Sequence, residues 1–105
     1  MNVINLNAKF RQLSDNKEKD AIVKIQNSGC VDSAEFILIK YLVITTKALI
    51  PHLKFSSVEE GEKLLIPKVI SVLSETVKSY DVNGELPFGA KILLTVNRRV
   101  NSGEI

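Results

Sequence analysis

Apolar residues along the chain recur three and four positions apart in four stretches. Polar clusters, glycines or prolines separate them. That spacing predicts amphipathic helices rather than half-buried strands. The first segment covers residues 8–27. Phe10 and Leu13 open its apolar stripe, and Ala21, Ile22 and Ile25 continue it across the polar run SDNKEKD. Asp15 with Glu18 three positions later resembles a capping box, so either one long helix or a helix from Asn16 fits. The run NSG closes the segment, with Gly29 suited to the left-handed C-terminal position.

The second helix is expected from Asp32, where DSAE repeats the capping spacing, to about Ile50, because the residue before Pro51 disfavours helix. Phe36, Ile37, Ile39, Leu42, Val43, Ile44 and Leu49 cover most of its circumference, the pattern of a central helix. The run FILIKYLVITT is rich in β-branched residues and admits a strand reading. Its length and its cap favour the helix.

A third helix begins in SSVEE, with Ser57 as cap and Glu60 completing the box. Glu59, Glu60 and Glu62 fall in its first turns, where the helix dipole favours negative charge. Pro67 predicts a kink or break near Leu64, since its ring clashes with the carbonyl four residues back. Beyond it Val69, Ile70, Leu73, Val77 and Tyr80 lie on one face, while Ser71, Ser74, Glu75 and Lys78 point elsewhere. Asn83-Gly84 marks a helix-to-helix turn, and Pro87 suits the first position of a last helix. That helix carries Phe88, Ala90, Ile92, Leu93, Val96 and Val100. Four helices with short connections predict an all-α fold, an antiparallel four-helix bundle, in a single domain over residues 1–105.

Composition adds little to this picture and removes several alternatives. Of 105 residues 45% are hydrophobic and 25% charged, an ordinary globular balance. Fourteen basic and 12 acidic residues are interspersed and leave a net charge of +2, a weak bias toward anionic partners. Tryptophan is absent and aromatics are 6%, too few for a stacking platform on nucleic acid. The most apolar window, residues 34–50, holds 17 residues interrupted by Lys40 and Lys47, short of the roughly 20 that cross a bilayer. The N-terminus lacks the basic and apolar regions of a secretory signal. A cytoplasmic location is expected, in keeping with a single cysteine, Cys30.

Candidate chemistry is sparse. His52 is the only histidine, and HLK faintly resembles a phosphohistidine motif. Lys54 comes one position too early, however, and Pro51 sets His52 at a helix end. Glu59, Glu60 and Glu62 have no histidine or aspartate at ligand spacing, and read as a solvated first turn. A phosphate-cradling glycine loop and a nucleophile elbow are both missing. No enzymatic activity, cofactor or metal is therefore expected. Lys91, Arg98 and Arg99 make the last helix locally basic. They suit a protein face or acidic headgroups, or simply complement the helix dipole. Two arginines are a thin footprint for nucleic acid, so that partner is not expected.

The run KVISVLSETVKSY (residues 68–80), a short polar loop and then LPFGAKILLTVNRRVNSGEI together resemble the immunity proteins of class IIa (pediocin-like) bacteriocins, the enterocin A immunity-like family. Pro67 departs from that pattern. The resemblance implies a small cytosolic four-helix bundle that protects its cell by binding. Its partner would be the complex of bacteriocin with the membrane part of the mannose permease, with peripheral contact to the membrane. It places specificity in the C-terminal half, at Lys78, Tyr80, Asp81, Asn83, Glu85, Lys91, Arg98 and Arg99. The competing readings are a small helical nucleic-acid-binding regulator of phage or plasmid type and, behind it, a histidine phosphotransfer domain.

Overall fold

The computed structural model describes residues 16–53 and 58–104, apart from the side chains at 58 and 62. Among them the fold is all-α: α1 (Asn16–Ser28), α2 (Val31–Leu49), α3 (Val58–Ser79) and α4 (Phe88–Asn101), with a 3-10 turn at Ile50–His52. Residues 8–15 of the first predicted segment, the Asp15 cap and the Ser57 cap lie outside the described residues.

Helix α1 turns Glu18, Ala21 and Ile22 inward, with Ile25 half-buried one turn later. Gly29 ends it at φ +65°, and its amide donates to the Ile25 carbonyl at 2.9 Å. The chain re-enters helix almost at once. Cys30 occupies the N-cap position of α2 and makes no side-chain cap bond, so the capping box expected from Asp32 does not form. Asp32 falls instead in the first turn, where its charge still suits the dipole, and Ser33 packs inward.

The other three helices all pack on α2, which makes it the hub of the fold. The expectation that it is apolar and buried nearly all round is corrected. Its inward stripe is Ser33, Ile37, Tyr41, Thr45 and Leu49, one residue per turn. Phe36, Ile39, Leu42 and Val43 lie in the open, Ile39 being 76% exposed. Among the described residues three neighbouring helices are too few to surround α2, and none of them covers its outer side. Pro51 then allows only a tight 3-10 turn.

Helix α3 runs through Pro67 without a break, and the ring sits at an exposed position. Its inward stripe is Val69, Val72, Leu73, Thr76 and Val77. Ile70, assigned to the core face by spacing, is 46% exposed. Thr76 is fully buried. Its hydroxyl lies 2.7 Å from the Val72 carbonyl and 2.9 Å from the Thr95 hydroxyl of α4, which donates to the Lys91 carbonyl at 3.1 Å. Backbone acceptors thus make two threonines acceptable between helices.

Pro87 is the N-cap of α4, one position before the expected first turn, and Phe88, Gly89, Ile92, Thr95 and Val96 are buried. Ala90, Leu93 and Val100 of the same helix are half-buried. The helix ends in a Schellman arrangement. Gly103 at φ +77° donates to the Val100 carbonyl, and Glu104 donates to that of Arg99.

Among the described residues one carboxyl group is inside. Glu18 is 1% exposed; it accepts a hydrogen bond from the Tyr41 hydroxyl and lies 3.4 Å from the Lys40 ammonium. Thr45 is fully buried, and its hydroxyl has no hydrogen-bond partner among the described residues.

Two stability changes follow, both measured by urea denaturation. Tyr41→Phe withdraws a donor from a buried carboxylate and is expected to lower stability by about 2 kcal/mol. Thr45→Val removes a buried hydroxyl with no partner among the described residues and is expected to raise stability by about 1 kcal/mol.

Candidate functional site

The connection between α3 and α4 is short, polar and built on a fixed frame. Tyr80 stands at its start, half-buried, and its hydroxyl donates to the Leu86 carbonyl at 2.6 Å, closing the loop across its base. Its ring meets Phe88 edge-on at 5.2 Å between centroids, and Phe88 meets Tyr41 of α2 in the same way at 5.0 Å. Gln26 of α1 donates to the Val77 and Tyr80 carbonyls, both at 2.8 Å. It therefore caps the C-terminal end of α3, whose last carbonyls have no partner inside the helix. Burial, together with the negative charges of Glu18 and Asp81, raises the Tyr80 phenol above its ordinary value, so it remains a donor at neutral pH.

Inside this frame the loop makes a tight turn. The Gly84 amide donates to the Asp81 carbonyl at 3.1 Å, and the Asn83 amide donates to the Asp81 carboxylate at 2.9 Å, an Asx turn. A β-carbon at Gly84 would lie 3.3 Å from the Asp81 carbonyl oxygen, so the turn favours glycine there. Asp81, Asn83 and Glu85 are exposed at the loop, and Lys78 is exposed on the last turn of α3. Four of the sequence-predicted partner-binding residues thus share one end of the α3–α4 hairpin, with Tyr80 beneath them as a support.

The basic residues of α4 are arranged differently from the sequence expectation. Lys91 is half-buried and lines a shallow hollow with Glu75, Ser79, Leu94, Thr95 and Arg98. Arg98 donates to the Glu75 carboxylate and, at 3.0 Å, to Glu104. Arg99 donates to Glu75 at 3.3 Å, to the Ser71 hydroxyl at 3.0 Å and to the Ser71 carbonyl at 3.1 Å. Both guanidinium groups therefore tie α4 to α3 rather than form an open cationic patch. Their hydrogen bonds and charge, those of Arg98 foremost, hold the Glu75 carboxyl below the ordinary range.

Sequence reasoning missed Glu75, Ser71 and Gln26 as partners. Each sits on a polar face, and no spacing rule says which residue of a distant helix will face it. The other candidates stay dispersed. His52 is exposed at the end of the 3-10 turn, and Glu59 is exposed on α3. Cys30 is half-buried, and its thiol lies below its ordinary value chiefly because the nearby Ser33 hydroxyl and amide favour the thiolate. Among the described residues no three His, Cys, Asp or Glu side chains converge as metal ligands would, and no helix is long and apolar enough to cross a membrane.

A depressed carboxyl stabilises the fold fully above its unfolded value. That contribution fades as pH falls toward and through the folded value, because the unfolded chain then binds the proton more readily. Glu75→Gln should accordingly be less stable than the parent at neutral pH. The difference should shrink as pH drops below the ordinary glutamate value of about 4.3. Urea midpoints for both proteins across that range check it.

Compared with protein-family models, with curated proteins and with solved structures, the chain matches none.

Proposed function

We propose that this chain is an antiparallel four-helix bundle that acts by binding protein, as a bacteriocin immunity protein of the class IIa type. In this reading it works from the cytoplasm on the complex between a bacteriocin and the membrane part of the mannose permease. The observation that carries the reading is the α3–α4 hairpin. Its loop offers Lys78, Asp81, Asn83 and Glu85 to solvent, while the Tyr80–Leu86 bond, the Phe88 ring and the Gln26 cap hold the base. Exposed, chemically varied side chains on a rigid support suit selective recognition of a partner. The hairpin lies in the part of the chain whose sequence resembles that family, and binding of this kind requires no catalyst. Lys78, Asp81, Asn83 and Glu85 are the contacts, Tyr80 positions them, and Lys91 borders the same region. Arg98 and Arg99 serve mainly to brace the hairpin through Glu75. That bracing also counts against the nucleic-acid reading, since both guanidinium groups already have acidic partners.

Expression in a sensitive strain challenged with a panel of class IIa peptides tests the proposal. Protection should raise the inhibitory concentration of at least one peptide by about tenfold or more, and Lys78→Glu with Glu85→Lys should remove most of that protection without changing the melting temperature. Unchanged killing by every peptide overturns it.

A further inference from the structure

The outer side of α2 carries a row of residues one turn apart: Val31, Glu35, Ile39, Val43 and Lys47. All five are exposed, with Val31 at 69%, Ile39 at 76% and Val43 at 60%. Water faces three β-branched side chains on a helix that the rest of the fold packs against. Beside the row the apolar surface continues as a groove between α2 and α3, where Val31 and Leu38 face Ile70. Ile66, one turn before Ile70, is 58% exposed. Contiguous apolar surface of this extent marks an interaction site.

Charge identifies what fits it. The row is nearly its own complement when reversed. Let a second α2 run antiparallel to the first, with a two-fold axis at the level of Tyr41. Ile39 then meets Val43 of the second copy, and Glu35 meets Lys47 of the second copy. Symmetry forms each pair twice. Neither Glu35 nor Lys47 makes an ion pair within the described residues. A row one turn apart is also the ridge that packs against its like when helices cross at about 50°. The two-fold sets the α3 side of one copy beside the α3 side of the other, so the groove, too, meets a groove. A 19-residue helix is about 28 Å long and helix axes lie about 9 Å apart, so α2 alone presents a strip of roughly 250 Å², and the adjoining groove has to join it to approach the ~800 Å² that each partner gives a stable interface.

We propose that the outer face of α2 and the adjoining groove are the interface of a symmetric homodimer. Two antiparallel copies of α2 pack through Ile39 and Val43, and two Glu35–Lys47 ion pairs fix their register. This assembly does not rest on the immunity reading, whose protection assay can fail or succeed without it.

Sedimentation equilibrium of the full chain at micromolar to millimolar concentration tests the proposal, and should give a monomer–dimer equilibrium. Ile39→Glu should weaken the dimer by about a hundredfold, since it sets two carboxylates in an apolar seam, while helical content and melting of the monomer stay the same. Glu35→Lys alone and Lys47→Glu alone should each weaken it by about fivefold, and the double reversal should restore it, because opposite charges again face each other. A chain that stays monomeric throughout overturns the proposal and leaves the face to an unlike partner. A dimer indifferent to Ile39→Glu, or single reversals that the double reversal does not rescue, overturn it equally.

Discussion

The contact on which the rest of the fold depends is between Glu18 and Tyr41. A carboxyl group taken out of water is tolerable only if donors replace the hydration it loses. Tyr41 supplies one from the centre of α2, and the Lys40 ammonium lies close by. This requirement fixes where α1 sits along α2, more sharply than the few apolar side chains of α1 could. It also orients the Tyr41 ring, against which Phe88 packs edge-on, and Phe88 in turn receives Tyr80. A polar demand in the first described helix is thereby transmitted to the loop before the last one.

The same economy governs the charged residues at the other end. Arg98 and Arg99 lie in the last turn of α4, where the helix dipole already favours cations. Glu75 and Ser71 of α3 receive them and lock the two helices together. What remains for a partner is of two distinct kinds: a small, chemically varied loop at one end of the hairpin, and a broad apolar face on α2. The first suits selectivity, because a change of one exposed side chain alters recognition without touching the core. The second suits association, because apolar area is non-directional and its register must come from the few charges that border it.

Much of this could be read along the chain. The helical period of its apolar residues, Gly29, Pro51, Asn83-Gly84 and Pro87 locate the connections between the described helices to within a residue or two, because backbone conformation at such positions is a local matter. The polar loop after Tyr80 was legible for the same reason. The inward stripe of α3 was legible in part: spacing found Val69, Leu73 and Val77 but misplaced Ile70, and Thr76 took a buried place through hydrogen bonds that no period encodes. The box at Asp32 failed because Gly29 brings the chain into helix at Val31, too early for Asp32 to cap it.

The sequence by itself determined the helical character of the described residues, the connections between their helices and the set of apolar residues available to a core. Those properties depend on side chains within a turn or two of each other. Tertiary structure decided which of those residues the core takes, leaving Ile39 and Val43 outside while enclosing Glu18 and Thr76. It also decided that Arg98 and Arg99 turn back on Glu75. Both outcomes depend on which helix lies against which, and that is settled by packing between residues far apart in the chain, where periodicity carries no information.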